Sequence, residues 1–201
     1  MTTVVDPGPA SRGLLTIPNV ISVVRLGCIP LFLYLLFGRD DRASAAWLLG
    51  ALGATDWVDG YIARRWNQVS ALGKVLDPVA DRLVLLVGVV AILADGAAPL
   101  WFGVATLARE ALISVGTLFV AALGARRIDV QWVGKAGTFG LYFAYPMFLA
   151  SHADMGSPTV WRTLAWACAI PGLALSWWSL GTYVPLARRA LRDKPVQEST
   201  T

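Results

Sequence analysis

The chain has 201 residues, 56% of them hydrophobic and 15% charged, with nine tryptophans, a net charge of +4 and a mean hydropathy of +0.60. That balance excludes an ordinary water-soluble domain. The two cysteines, Cys28 and Cys168, both lie inside apolar runs, which excludes a disulfide framework and a thiolate metal site.

Residues 1–14 are polar and Pro/Gly-rich, with one acid and one arginine. They lack the clustered basic head of a cleaved signal peptide. The Ala-Ser-Ala triplet at 43–45 follows the charged Arg-Asp-Asp-Arg at 39–42, so no cleavage is expected there either. Six apolar runs follow, at about 17–38, 43–64, 76–95, 99–123, 133–151 and 159–186. Pro18 fits an early helical turn, and Pro30 is expected to kink the first run. The third run ends at Asp-Gly-Ala-Ala-Pro, a turn-like cluster.

Several runs approach or exceed the roughly 20 residues needed to cross a bilayer. A bilayer admits only helices or closed barrels, and these runs are too long and uniform for barrel strands. The expectation is an all-α integral membrane protein with six transmembrane helices in one domain, residues 15–190, and a disordered polar tail, 191–201.

Basic residues set the orientation. Arg12, Arg64, Arg65, Lys74, Arg126, Arg127, Arg188, Arg189, Arg192 and Lys194 fall on one side of a six-span layout, against Arg39, Arg42 and Arg162 on the other. The excess of positive charge inside predicts a multi-pass protein of the cell membrane with both termini and the acid-rich end cytoplasmic. It also makes anionic lipid, not nucleic acid, the expected partner of the positive charge.

Four acids stand near the membrane at that end: Asp56, Asp59, Asp77 and Asp81. The first two are three residues apart and the last two four apart, so each pair shares a helix face. A short connection makes the second and third helices antiparallel neighbours, and the four carboxylates can converge. Four anions in a low-dielectric setting would neutralise unless cations intervene, and Arg64 and Arg82 could compensate only part of the charge. The candidate ligands are all oxygens, and the single histidine, His152, lies in an opposite loop. Mg²⁺ or Mn²⁺ therefore fits better than zinc, and two such ions would create a site for an anionic phosphate substrate.

Gly60, Ala63 and Gly73 leave room for a ligand against the backbone, whereas Gly50, Gly53 and Gly88 read as helix-packing positions. Arg25, Arg109 and Lys135 are basic residues inside spans and need an anionic or structural partner. A cation transporter could use the same acids, but they cluster at one membrane face, and transport sites usually sit near the midplane.

The pattern Asp56-x-x-Asp59-Gly60-x-x-Ala63-Arg64, continued by Gly73-x-x-x-Asp77-x-x-x-Asp81, resembles the signature of the CDP-alcohol phosphatidyltransferase family. The stretch at 17–30, with its Pro-Asn and its arginine, is similar to the family's first helix, and the six-span layout agrees over nearly the whole chain. The resemblance implies a membrane enzyme, homodimeric, in which an alcohol attacks the diacylglycerol-bearing phosphorus of CDP-diacylglycerol and CMP leaves. It implies metal binding by Asp56, Asp59, Asp77 and Asp81, with Asp81 also taking the proton of the attacking hydroxyl. It assigns the nucleotide to Asp56, Gly60, Ala63, Arg64 and Gly73, while Asn19, after a helix-starting proline, fits either a helix cap or a phosphate contact of the CDP.

For the acceptor, Thr-Asp-Trp-Val-Asp-Gly-Tyr-Ile-Ala-Arg-Arg-Trp-Asn-Gln (55–68) and Ala108-Arg109-Glu110 resemble family members that use glycerol 3-phosphate. Those members usually carry Gly-Lys-x-Lys-Thr in the fifth span, where this chain has Gly134-Lys135-Ala136-Gly137-Thr138. A phosphate monoester favours several cationic partners, so the missing lysine weakens that fit. Gly134, Gly137 and Gly140 could open a groove for a lipid acceptor or simply pack tightly against a helix. The stretches at 15–19, 70–82 and 133–140 resemble the cardiolipin-forming, actinobacterial branch, which implies phosphatidylglycerol as acceptor, its phosphate held by Arg25, Arg109, Lys135 and the Gly137 region.

Overall fold

The computed structural model describes residues 17–66, 73–122 and 132–192, with side chains described for 20–55, 79–116 and 133–182. The described residues are almost entirely helical: α1 (Ile17–Leu33), α2 (Arg42–Trp66), α3 (Gly73–Asp95), α4 (Leu100–Ala122), α5 (Trp132–Ala150) and α6 (Pro158–Arg192). Each coincides with one of the six predicted runs. Among the described residues, two helical stretches, Val20–Gly38 and Pro158–Thr182, are by themselves long and apolar enough to cross a membrane.

Local sequence explains where the helices begin and end. Helix α1 continues through Pro30 and widens into a π-helical turn at Tyr34–Gly38, where the Arg39 amide reaches back to the Tyr34 carbonyl at 3.0 Å. Asp41 then caps α2: its carboxylate accepts the Ser44 amide at 3.0 Å, which holds its carboxyl below the ordinary range. The Asp-Gly-Ala-Ala-Pro cluster closes α3 in a Schellman motif. Gly96 takes φ +80°, its amide bonds Leu93 at 3.1 Å, and the Ala97 amide bonds Ile92 at 3.2 Å.

Helix α5 is the hub of the bundle. It touches α2 through Pro146 and Tyr142, which face Gly50 and Gly53, so both glycines serve close packing as their positions suggested. Towards α4, Tyr145 donates to Thr106 at 2.8 Å, and its ring and that of Phe148 pack on Phe102, centroids 5.2 and 5.6 Å apart. Such aromatic contacts add to plain area burial. All four residues are buried to within 2% exposure.

The contact with α6 is the tightest. A Cβ placed on Gly137 would lie 2.5 Å from Ser176 Oγ and 2.7 Å from its backbone nitrogen, and one on Gly140 would meet the Gly172 Cα at 3.1 Å. The open lipid groove considered for Gly134, Gly137 and Gly140 is therefore corrected: α6 fills it, and Gly137 is buried helix contact rather than part of an acceptor channel. The substitution Gly137→Ala should destabilise the purified protein by about 1–3 kcal/mol through overpacking. Gly116→Ala on α4, where an added Cβ meets nothing within 4 Å, should leave stability unchanged or raise it by about 0.5–1 kcal/mol. Thermal unfolding in detergent compares the two; equal melting temperatures would contradict the packing assignment.

Candidate active site

Two contacts define how α2 meets α3. At one end the Arg42 guanidinium pairs with Asp95, Nη2 to Oδ1 at 3.0 Å and Nε to Oδ2 at 3.2 Å. Arg42 also reaches Asp40 at 2.9 Å. Further along, a Cβ on Gly88 would lie 3.3 Å from the Leu49 side chain. Helices α2 and α3 are thus antiparallel neighbours, as their short connection suggested. The Arg42–Asp95 bridge itself was not singled out from sequence, because Arg42 counted only as a loop charge and Asp95 only as part of a turn.

The other ends of these helices carry the signature. Asp56, Asp59, Gly60, Ala63 and Arg64 fall in the closing turns of α2, and Gly73 and Asp77 in the opening turns of α3. Asn19 lies in the first turn of α1. The side chains of these residues, and the connection at 67–72, lie outside the described residues. Among the described residues no three His, Cys, Asp or Glu side chains gather as a cation site; three of the four expected ligands fall outside that set.

Asp81 is described, and it is well held. Its carboxylate forms an ion pair with the Arg25 guanidinium of α1, whose side chain is only 6% exposed against 30% for Asp81. Its backbone carbonyl accepts the Tyr142 hydroxyl of α5 at 2.6 Å. Three helices therefore fix the last acid of the signature. Arg25, buried at this depth, needed an anion, and among the described residues Asp81 supplies one. Arg82, expected to share the compensation, is exposed and pairs with no described carboxylate.

Arg109 is also buried, at 4% exposure. Its guanidinium pairs with Glu110, donates to Thr138 Oγ1 at 3.2 Å and reaches the Ser176 carbonyl at 3.4 Å. Thr138 in turn donates to the Gly134 carbonyl at 3.0 Å. The pairing with Glu110 gives Arg109 an internal anion, and the hydroxyls of Ser176 and Ser179, both fully buried, line the same α4–α5–α6 contact. Lys135 is exposed and pairs with no described carboxylate. The structure thus brings Arg25 to Asp81 and keeps Arg109 in a separate polar cluster. Tyr142, which completes the first arrangement, carried no signal in the sequence beyond its helical periodicity, and Thr138, which completes the second, appeared only as the last position of the Gly-Lys-x-Lys-Thr comparison.

The sequence comparisons agree with this architecture. The family model for CDP-alcohol phosphatidyltransferases matches residues 15–178. A cardiolipin synthase (CMP-forming) of Streptomyces coelicolor is 40% identical over 184 residues, covering 89% of this chain and 86% of its own. A Mycobacterium tuberculosis protein, provisionally named a cardiolipin synthase, is 34% identical over 191 residues, 94% of this chain and 91% of that one. The CDP-diacylglycerol–glycerol-3-phosphate 3-phosphatidyltransferase of Salmonella typhimurium is 34% identical over 187 residues, 89% of this chain and 98% of that one. Matched along most of its length by both the family and these relatives, the chain belongs to the CDP-alcohol phosphatidyltransferase family of membrane-bound, divalent-metal-dependent, CMP-forming enzymes.

Proposed function

We propose that this chain transfers the phosphatidyl group of CDP-diacylglycerol to phosphatidylglycerol, giving cardiolipin and CMP. One observation carries the site assignment. From 42 to 49 on α2 and from 95 to 88 on α3, the two observed contacts advance by the same step. A second equal step arrives at Asp56 on α2 and at Asp81 on α3. With Asp59 and Asp77 each within a turn of that level, the register favours one site built from both helix ends.

The donor set fits the metal. Carboxylate oxygens suit Mg²⁺ or Mn²⁺, and the bound cations would neutralise charge on the transferring phosphoryl group. The residues proposed to hold two such ions are Asp56, Asp59, Asp77 and Asp81. Asn19, Gly60, Ala63, Arg64 and Gly73 are assigned to the CDP moiety. Small side chains there admit the nucleotide against the backbone, and Arg64 supplies a cation for its phosphates.

Asp81 is the base. An unactivated alcohol needs its proton removed as its oxygen bonds the diacylglycerol-bearing phosphorus and the bond to CMP breaks. The acceptor hydroxyl gives its proton to Asp81, and CMP departs with the electrons of the broken bond. Arg25, in contact with Asp81, is then close enough to the attacking hydroxyl to hold the acceptor's phosphate. Arg109 and Lys135 extend the basic character on the acceptor side.

The choice of acceptor rests on the relative from Streptomyces coelicolor, whose name specifies cardiolipin synthesis at 40% identity, and on Gly137, which replaces a lysine that a phosphate monoester would favour. Glycerol 3-phosphate is the second reading, supported by the relative from Salmonella typhimurium. In this account the enzyme is a homodimer with six crossings of the cell membrane over residues 15–190, its termini and the acid cluster facing the cytoplasm. The distribution of arginine and lysine supports that orientation.

Purified protein supplied with CDP-diacylglycerol and Mg²⁺ or Mn²⁺ should release CMP with phosphatidylglycerol as acceptor; turnover with glycerol 3-phosphate alone would reverse the acceptor assignment. EDTA should abolish activity, and added Mg²⁺ or Mn²⁺ should restore it.

Asp81→Asn should lower kcat by roughly 10²- to 10⁴-fold, the usual contribution of general-base catalysis. Arg25→Gln should raise the KM for the acceptor more than the KM for CDP-diacylglycerol, with partial recovery in Arg25→Lys. Steady-state kinetics varying one substrate at a time measures both; an Asp81→Asn enzyme of near wild-type kcat would remove the base assignment.

A further inference from the structure

At the bundle end opposite the acid signature, α5 ends at Ala150, α6 begins at Pro158 and α4 begins at Leu100. Two cavities meet there. One, of about 430 Å³, is polar, lined by Ser151, His152, Thr159, Arg162 and Thr163 and closed on one side by Trp166. Its volume falls within the range of about 300–1,000 Å³ usual for small-molecule sites. The other, of about 270 Å³, is a groove of Trp101, Phe102, Trp166, Ile170, Leu173 and Trp177 running along α6. Trp166 belongs to both, so the polar space opens directly onto the apolar one.

The charge and the walls point to one kind of occupant. Arg162 is exposed and makes no ion pair among the described residues, so its guanidinium stands available to an anion in the polar cavity. Asp154, the acid of the same loop, does not line that cavity. The groove is walled by large apolar side chains that are nevertheless exposed: Trp101 at 58%, Ile170 at 61% and Trp177 at 40%. Trp101 stacks on Trp166 with centroids 5.8 Å apart, making a flat aromatic wall of the residue type that favours membrane interfaces. The loop over the polar cavity is fastened by the Trp161 indole, which donates to the Met155 carbonyl at 2.7 Å. Neither Arg25 nor Asp81 lines either cavity.

We propose that the two cavities form a single binding site for a diacyl anionic phospholipid of the leaflet opposite the active site, with its phosphate on Arg162 and one acyl chain laid along the tryptophan groove. A free phosphate or polar anion would fill only the polar half and leave the groove exposed. A zwitterionic lipid would fill both halves but carry no net charge to match Arg162. Arg162 therefore selects for the anionic head and the groove for the chain, independently of which acceptor the enzyme uses.

The test is a lipid titration of the full chain in detergent, read as the shift in melting temperature, with dioleoylphosphatidylglycerol, dioleoylphosphatidylcholine and inorganic phosphate as separate probes. The wild type should be stabilised saturably by phosphatidylglycerol and more weakly by phosphatidylcholine, and not by inorganic phosphate. Arg162→Gln, an exposed change, should require about fivefold more phosphatidylglycerol for the same shift, the loss expected for one lipid-facing cation, with its response to phosphatidylcholine unchanged. Ile170→Asn, also exposed, should weaken both lipid responses. Phosphatidylglycerol bound at the active site contributes equally to the wild type and these variants, so it cannot produce the difference. Identical titrations for wild type and Arg162→Gln would overturn the proposal, as would equal stabilisation by the two lipids or a matching response to inorganic phosphate.

Discussion

A carboxylate set among apolar helices must be matched by positive charge or lose its own, and Asp81 is matched by Arg25. That pair fixes more than a charge. It ties α1 to α3 at the level of the signature's last acid, while Tyr142 ties the same residue's backbone to α5. Arg42 and Asp95 join α2 to α3 at the opposite end of their contact. The proposed site would bring four anions together and needs such outside constraints, because the acids themselves repel.

Helix α5 supplies the frame on which this is built. Its small residues let α6 approach to backbone contact at Gly137, Gly140 and Gly172, and its Pro146 and Tyr142 fit against the glycines of α2. Where hydrophobic transfer offers little preference between lipid and neighbouring helix, close approach and internal hydrogen bonds carry the specificity of packing. The Tyr145–Thr106 bond and the buried Phe102–Phe148 contact perform that task between α4 and α5. The exposed apolar side chains of α1, α3, α4 and α6 face outward, as expected of helices surrounded by lipid rather than water.

The helices themselves were legible in the sequence, because long apolar runs bounded by Asp41, Gly96 and Pro158 leave few alternatives for segments of this length. The packing role of Gly50, Gly53 and Gly88 was legible for the same reason: a missing side chain inside a long helix needs a neighbour. The family followed from the spacing of acids and small residues between positions 56 and 81. The partner of Arg25 was not legible, since Asp81 is 56 positions away and sequence alone supplies no distance between α1 and α3. The glycines of α5 left two readings open, because a small-residue stripe looks alike whether a ligand or a helix covers it. Only the position of α6 decides between them.

The central claim is that acids from two different helices form one divalent-cation site. Titration of Mn²⁺ into the metal-stripped protein, followed by electron paramagnetic resonance, measures it most directly. The account predicts about two bound ions per chain, as in carboxylate-bridged two-metal sites, with loss of both on Asp56→Asn in α2 and likewise on Asp77→Asn in α3. Binding that either substitution leaves at full stoichiometry and affinity would contradict it.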